Sequence, residues 1–481
     1  MSIRTNQAAW RVIAAAALVS TAAATDALAQ TLDRAQRPVA PAAAPFRLPT
    51  VEMRALSNGI PVAVIQNHQL PIVAVRAVID AGPLLEPADK AGLSNLVNQM
   101  LAEGTATRSA DQLATEFADL GTNVTAQGFT TVKGNLDRAL ELMGDMLMHP
   151  AFPEAALARN KANTVAQLRR LREQPSFLAD HVLNAVLYGA DHPYARLATE
   201  QTVSSVTRAD LMAFHSDWVR PQNVKLVVVG DVTPDAAVRS LERVFGAWPA
   251  GGKTARYEVP AARPAGATTI YLLDRPNSPQ STVWVGQVGP SRDTPDYYAL
   301  EAMNTVFGGV SAARLNSNLR ERHAFTYGAN SGLQWRRVPQ VSTVRGSSDI
   351  VAAKTDSAIT EWLGELRGIR GERPITDQEL VFAKTNRTAG LPLRFETVTQ
   401  VAFAVGDLLA NGIPVDFYNS YAQRIGGLSG AELAAAASKY LDPQKSAIVV
   451  VGDRRVIEPG LRALNLPIVV VDENGNPVAS S

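Results

Sequence analysis

The chain has 481 residues, of which 46% are hydrophobic and 19% are charged, and its formal net charge is +1. This length exceeds what one hydrophobic core usually fills, so we expect two or more domains. A charge so close to neutral gives no reason to propose nucleic acid or an acidic membrane surface as a partner. The sequence contains no cysteine, which excludes disulfides, thiolate zinc sites and cysteine nucleophiles.

Residues 1–29 have the pattern of a secretory signal peptide. Arg4 and Arg11 give a basic start, residues 12–24 are apolar and small, and Ala27-Leu-Ala29 offers a small-x-small cleavage site. The apolar run is too short to span a bilayer comfortably. We therefore expect the segment to be cleaved and the mature protein to be periplasmic, with an uncleaved anchor as the alternative.

After an Ala- and Pro-rich lead-in at residues 30–45, which we expect to be flexible, strand and helix patterns alternate. Strands are predicted at residues 60–65, 71–79, 123–131 and 224–229. Helices are predicted at residues 92–101, 111–120, 136–148, 154–172 and 177–187.

The helix predicted at residues 92–101 carries three amides, Asn95, Asn98 and Gln99. Their i, i+3, i+4 spacing places all three on one side of one helical turn. Two histidines and a glutamate at this spacing would suit a metal, but amide oxygen is a poor zinc ligand beside imidazole or carboxylate. No two of the six histidines lie three or four residues apart, so the chain has no two-histidine helical metal motif. The alternative is an ordinary solvated polar face.

A segment of the first half recurs 222 residues later without a gap, residues 206–231 matching residues 428–453. In each copy a hydroxyl residue, Thr207 or Ser429, stands three positions before an acid, as in a capping box. A helix, a Pro-Gln turn and a buried strand then follow. The repeat indicates that the chain arose by duplication.

The duplication predicts an α+β fold of two tandem homologous halves, residues 46–250 and 268–481, each a mixed β-sheet packed with helices. The Pro- and Gly-rich stretch 251–267 is the predicted linker. In the second half we expect strands at residues 268–273, 282–288, 325–334, 448–452 and 466–472, and helices at residues 297–307, 314–320, 377–388 and 397–409.

A duplicated α+β chain of this length resembles the inverted-zincin peptidases, the family of pitrilysin, insulinase and the mitochondrial processing peptidase. Active members carry His-x-x-Glu-His on the first helix of the first half. The matching frame here is Asn95-Leu-Val-Asn98-Gln99, and the resemblance places the distal glutamate ligand of the family at Gln167. All four degenerate metal positions are therefore amides, and we expect this chain to bind no metal.

The second half matches the family pattern better. It reads Gly308-Gly309-Val-Ser311-Ala-Ala-Arg314-Leu315, one residue longer than the family between Ser and Arg, followed by Leu319-Arg320-Glu321 and then Tyr327. The resemblance implies that Gly308, Gly309 and Ser311 contact substrate. It implies that Arg320 and Tyr327 reach the zinc site of another half, bind substrate and stabilise the developing oxyanion.

A guanidinium and a phenol are suitable donors for charge that appears only in the transition state. Considered without the family, Arg320 is a surface cation paired with Glu321 or Asp296, and Tyr327 is a half-buried strand aromatic. By family position, the first half would hold an extended substrate at a sheet edge near residues 123–129, through Asn123, Val124, Thr125 and Ala126.

A chain that lacks the ligands but keeps the Arg–Tyr pair resembles the non-catalytic subunit of a heterodimeric member. We therefore expect a substrate-binding subunit, inactive alone, of a periplasmic zinc metalloendopeptidase acting on peptides or unfolded segments. A homologous partner would bring the zinc and its general base, and each subunit would form half of a clam-shell chamber. Two alternatives stay open: a stand-alone peptide-binding or chaperone-like protein, and a scaffold without a proteolytic role.

Overall fold

The computed structural model describes residues 48–336, 338 and 341–478, so the predicted signal peptide and the whole lead-in lie outside the described residues. The strands form two mixed sheets. The first sheet has the order β1-β2-β5-β3-β4, with β1 Glu52–Ala55, β2 Pro61–Gln66, β3 Ile72–Ile79, β4 Gly128–Val132 and β5 Val224–Gly230. The second has the order β11-β6-β10-β7-β9-β8, with β6 Thr269–Asp274, β7 Gln280–Val288, β8 Thr326–Gln334, β9 Thr343–Val351, β10 Ala447–Gly452 and β11 Ile468–Val470.

Helices fill the connections in both halves. Those of the first half are α1 Leu93–Met100, α2 Ala110–Leu120, α3 Leu136–Met148, α4 Glu154–Arg172, α5 Pro175–Tyr188, α6 Glu200–Ser205, α7 Arg208–Trp218 and α8 Pro234–Phe245. Those of the second half are α9 Tyr297–Phe307, α10 Arg314–Asn316, α11 Thr355–Arg367, α12 Asp377–Ala389, α13 Val398–Asn411, α14 Phe417–Gly427, α15 Gly430–Tyr440 and α16 Arg454–Ala463. Among the described helices, none combines the length and apolarity needed to cross a membrane.

The duplication is confirmed by the sheets themselves. Strands β2, β5, β3 and β4 follow one another with the same parallel and antiparallel pairings as β6, β10, β7 and β9. Helices α7 and α15 both begin with the predicted capping box, Thr207 with Asp210 and Ser429 with Glu432. The chain is therefore an α+β protein of two homologous halves, as predicted.

The central strands β5 and β10 are apolar runs because their sheets are covered on both faces. Helices of the same half cover one face. The other face is covered by a helix from the opposite half, so the halves exchange α5 and α13. Leu183 of α5 packs on the second sheet with Val449, and a Cβ on Gly286 would lie 2.8 Å from its methyl carbons. Val405 of α13 packs in the same way on Ala74 of the first sheet.

One predicted strand begins later than expected. The sequence pattern predicts residues 123–131, but β4 starts at Gly128 because a tight turn precedes it. The N–H of Thr125 donates to the carbonyl of Gly128 at 3.1 Å, and the N–H of Gly128 donates back at 3.2 Å. Gly128 has φ of 149°, a conformation that favours glycine. Residues 123–127 therefore precede the strand, with a turn at Thr125–Gly128, instead of forming part of it.

Candidate functional site

The amide-bearing helix α1 has a fixed beginning. Gly92 precedes it with φ of 99°, and a Cβ there would approach Ala198 to 3.1 Å, so both conformation and space require glycine. The carboxylate of Glu86 accepts hydrogen bonds from the N–H groups of Gly92 at 2.8 Å and Ser94 at 2.7 Å. A carboxylate at this end satisfies free N–H groups and interacts favourably with the helix dipole.

The two faces of α1 differ as the spacing predicts. Leu96 and Met100 are fully buried, whereas Asn95, Asn98 and Gln99 are all exposed. None of these three amides forms a hydrogen bond with a residue that the structure describes. The amide cluster therefore has no structural hydrogen-bonding task in the described part of the chain, and its polar groups face outward.

Gln167 lies on α4, which packs along α1. Seven residues earlier on the same face of α4, the Asn160 amide donates to Met100 Sδ at 3.2 Å and to Glu103 Oε1 at 3.0 Å. Arg159 also pairs with Glu103 at 2.5 Å, so the end of α1 is tied to α4. Gln167 is exposed, like the amides of α1.

The donor set at these positions does not fit zinc. Asn95, Gln99 and Gln167 offer only neutral amide groups where zinc prefers imidazole or carboxylate. Elsewhere in the described residues, no group of three or more His, Cys, Asp or Glu side chains is placed to hold a metal ion. We therefore assign no chemical step on this chain to a metal.

Asn98 opens onto a cleft of about 560 Å³, which we call the edge cleft, between strands β3 and β4 and helix α13. Arg76 of β3 spans it by donating to the Phe403 carbonyl at 2.7 Å and pairing with Asp407 at 3.2 Å. Its guanidinium lies 4.3 Å from the centre of the Phe403 ring. The sequence gives no signal for this cleft, because α13 belongs to the second half.

Strand β4 is the outer strand of the first sheet and forms one wall of the edge cleft. Of the predicted substrate-binding residues before it, Asn123 and Thr125 are exposed and Thr125 lines the cleft. Val124 and Ala126 are instead buried in the core of the first half, which removes their side chains from contact with a substrate.

The structure brings Arg320 and Tyr327 together. Arg320 lies on a π-helical turn, Ser317–Arg322, and Tyr327 lies near the start of β8. The guanidinium carbon stands 5.0 Å from the centre of the phenol ring, and Tyr327 is 86% exposed. Ala324 has φ of 51°, and its N–H donates to the Arg320 carbonyl at 3.0 Å, which turns the chain back towards Arg320. We call this pair the Arg–Tyr platform.

Considered without the family, Arg320 is expected to be a surface cation in an ion pair and Tyr327 a half-buried strand aromatic. The structure agrees with these expectations only in part. Arg320 does pair with Glu321 at 3.2 Å, but both side chains are largely exposed, and such pairs stabilise a fold little. Asp296 is instead bound by Lys439 and Tyr440. Tyr327 is not half-buried, and its hydroxyl forms no hydrogen bond within the described residues.

Gly308 and Gly309 let the loop after α9 close on β8. The Ser331 N–H donates to the Gly308 carbonyl at 2.8 Å, and a Cβ on Gly308 would collide with the Ser331 side chain. A Cβ on Gly309 would lie 2.7 Å from Asn304 Nδ2, which donates to the Ser331 carbonyl. Both glycines thus have a packing task, and their contact with substrate stays a prediction.

A buried asparagine that sequence reasoning missed holds the next part of this loop. Asn316 Oδ1 accepts the N–H of Ala329 on β8 at 3.0 Å, and its Nδ2 donates to the carbonyl of Ser311 at 2.6 Å. The side chain of Ser311 is exposed. Asn316 lies between Arg314-Leu315 and Leu319-Arg320-Glu321, the two parts of the family pattern, and the pattern itself gave no signal for it.

Arg314 anchors the platform to α12. Its guanidinium contacts Glu379 through two nitrogens, at 2.6 and 2.7 Å. Hydrogen bonds from Arg314 lower the pKa of the Glu379 carboxyl from 4.5 to about 2. The same guanidinium donates to the carbonyls of Arg373 and Pro374, so it fixes the loop before α12 as well. Arg314 therefore has a structural task.

Comparison with known proteins identifies the family to which the chain belongs. The model described as Insulinase (Peptidase family M16) matches residues 61–200, and the model described as Peptidase M16 inactive domain matches residues 205–387. The uncharacterized zinc protease YmxG of Bacillus subtilis is 25% identical over 350 residues, covering 71% of this chain and 83% of that protein.

Two matches that cover more of the chain support the same family. A probable mitochondrial-processing peptidase subunit beta of Schizosaccharomyces pombe is 23% identical over 440 residues, covering 84% of this chain and 92% of that protein. A solved structure, the peptidase M16 inactive domain from Pseudomonas fluorescens, superposes with a TM-score of 0.75 at 25% identity, covering 84% of this chain and 98% of that one. The chain belongs to the M16, or insulinase, family of peptidases.

Proposed function

We propose that this chain is the non-catalytic, substrate-binding subunit of a heterodimeric zinc metalloendopeptidase that cleaves peptides or unfolded segments. The observation that carries the proposal is the Arg–Tyr platform. A guanidinium and a phenol whose hydroxyl has no partner among the described residues are brought together at an exposed position by a π-helical turn. Arg320 and Tyr327 would stabilise charge at the zinc site of the partner.

The four degenerate metal positions support the assignment of zinc binding to a partner subunit. Asn95, Asn98, Gln99 and Gln167 are exposed, free of hydrogen bonds to described residues and chemically unsuited to zinc. Zinc and the general base would come from a homologous peptidase subunit. The relative from Schizosaccharomyces pombe is itself named as a subunit, which supports assembly with a partner.

The second sheet suggests how a substrate would lie in the first. Strand β8 runs antiparallel beside β9, the counterpart of β4, whereas the first sheet ends at β4. An extended peptide beside β4 would take the place that β8 fills in the second half. The carbonyl of Thr130 already accepts the Thr122 hydroxyl at 2.6 Å, so such a peptide would displace that contact. Asn123 and Thr125 stand at the beginning of this path.

The pattern of residues 1–29 supports secretion of the chain to the periplasm. The partner would then be a secreted homologue with an intact His-x-x-Glu-His motif. Both subunits together would enclose the substrate in a clam-shell chamber.

Reconstitution tests the proposal. The mature chain, a homologue with an intact motif from the same genome, and their mixture would each be assayed on a quenched fluorescent peptide, with zinc content measured in parallel. We expect turnover only in the mixture and zinc only in the homologue. Turnover with bound zinc in this chain alone would refute the proposal. Peptide binding without turnover in any combination would favour a chaperone-like role, and indifference to both peptide and partner would favour a scaffold.

A further inference from the structure

The second half contains another hollow, which we call the aromatic cleft, between the beginning of α9 and helix α14. It consists of two adjoining spaces of about 690 and 580 Å³ that share Pro295, Tyr298 and Arg424. Spaces of this size accommodate small ligands or a few residues of a peptide. The aromatic cleft shares no residue with the edge cleft or the Arg–Tyr platform.

A cluster of aromatic rings borders the aromatic cleft, and Tyr297, Tyr298 and Phe417 line it directly. The Tyr298 ring lies 5.2 Å from Tyr297, 5.8 Å from Phe417 and 5.7 Å from Tyr421, measured between centroids. Burial raises the pKa of both Tyr297 and Tyr421, that of Tyr421 to about 12, so both phenols stay neutral at physiological pH. The cleft is thus bordered by aromatic surface without phenolate charge, with the Phe417 ring stacked parallel to Tyr298 and the Tyr297 ring edge-on to it.

Two guanidiniums lie on these rings, and no described carboxylate pairs with either. The Arg292 Cζ stands 3.6 Å from the centre of the Tyr297 ring and 5.1 Å from that of Phe417. The Arg424 Cζ stands 5.4 Å from the centre of Tyr298. Neither guanidinium forms an ion pair or hydrogen bond with a residue that the structure describes. An arginine stacked on an aromatic ring keeps its N–H groups available to a planar anion.

The acids around the aromatic cleft do not neutralise these arginines. Asp296 accepts hydrogen bonds from Lys439 Nζ at 2.8 Å and from the Tyr440 hydroxyl at 2.7 Å. Glu432 is held in the capping box of α15 by Ser429. Asp293 is exposed to solvent. Among the described residues, none of these three acids forms an ion pair with Arg292 or Arg424.

We propose that the aromatic cleft is a binding site for a peptide carboxylate flanked by an apolar side chain. The carboxylate would accept paired hydrogen bonds from Arg292 and Arg424, since a guanidinium matches the two oxygens of a carboxylate. The neighbouring side chain would lie on the ring of Tyr298. The carboxylate comes either from the C-terminus of the peptide or from a Glu or Asp side chain, and the two sources are separated by experiment.

Fluorescence polarisation on the mature chain tests this site without the partner subunit. The probes are a labelled short peptide ending in Leu-Phe as a free acid, the same peptide as a C-terminal amide, and an amidated version with one internal Glu. We expect the free acid to bind about 10- to 100-fold more tightly than the plain amide, because hydrogen bonds to charged groups are strong. Equal binding of the acid and the Glu peptide would identify a side-chain carboxylate as sufficient.

The variants Arg292→Gln and Arg424→Gln should each abolish the preference for a carboxylate. Arg239→Gln is the matched control, since Arg239 on α8 is exposed and has no ion pair within the described residues. Arg292→Lys keeps the charge but loses the planar fork, so it should weaken binding while preserving the fold by circular dichroism. Equal binding of acid and amide, absence of binding at millimolar peptide, or wild-type binding by Arg424→Gln would overturn the proposal.

Discussion

Replacing Tyr327 with Phe separates a role in turnover from a role in the fold. The ring is 86% exposed and its hydroxyl has no partner among the described residues, so removing one oxygen leaves every described contact in place. The contact with Arg320 at 5.0 Å involves the ring face and survives in phenylalanine. We therefore expect the free energy of unfolding to change by less than about 0.5 kcal/mol, as for surface substitutions in general.

The effect of Tyr327→Phe on turnover should be far larger. A hydrogen-bond donor that acts only on the developing charge typically contributes about 100- to 1,000-fold to kcat. Arg320→Ala should lower kcat by a similar factor, at a cost to stability of no more than about 1 kcal/mol, because its one ion pair with a described residue is with the exposed Glu321. Both should be measured on the reconstituted complex, with denaturant unfolding of the isolated chain alongside.

Tyr188→Phe provides the opposite control. The Tyr188 hydroxyl is buried and donates to the Val341 carbonyl at 2.6 Å, so its loss should cost about 1 to 3 kcal/mol of stability without changing kcat. A kcat of Tyr327→Phe within threefold of wild type, or a loss of stability as large as that of Tyr188→Phe, would contradict the role assigned to the Tyr327 hydroxyl.

Two further predictions test other parts of the site. Combining Asn95→His, Gln99→His and Gln167→Glu should confer about one zinc per chain by mass spectrometry, since two histidines and a glutamate suffice for zinc; a folded variant without zinc would mean that the frame is misassigned. The low pKa of Glu379 stabilises the fold above about pH 4.5, and this contribution is lost as pH falls towards 2. Glu379→Gln should therefore cost about 1 to 2 kcal/mol near neutral pH, after allowance for solvent screening, and flatten the denaturant stability curve across that window; an unchanged curve would contradict the assigned ion pair.

Local chemistry made much of the fold predictable. The capping boxes at Thr207 and Ser429 and the gap-free repeat between them depend on residues close together in sequence, and the structure reproduces both. Helix α1 was predictable because its apolar residues recur at helical spacing and its three amides fall together on one side, which the structure leaves exposed. Strand β9 was not predicted, since Thr343-Val-Arg-Gly-Ser-Ser-Asp-Ile-Val alternates poorly. It becomes a strand by pairing with β7 and β8, with Gly346 fitted against Trp362.

The candidate site, like the fold, was predictable from the sequence only in part. The family pattern located Arg320 and Tyr327, but the backbone that joins them is a π-helical turn followed by a residue with positive φ, neither of which has a sequence signal. The edge cleft and the aromatic cleft were missed because their walls come from segments far apart in the chain. Arg76 and Phe403, which meet across the edge cleft, are separated by 327 positions.

The exchange of α5 and α13 also bears on how the molecule reaches its native state. The sheet of the first half keeps one apolar face bare until α13 of the second half has been made, and the sheet of the second half needs α5 of the first half, so contacting segments lie far apart in the chain and slow folding is expected. A chain exported before folding would pass through states that expose these faces, and it would depend on holding chaperones during that interval. A half-length ancestor would have faced the same need and could have met it as a domain-swapped dimer, in which two identical chains traded this helix before duplication joined them.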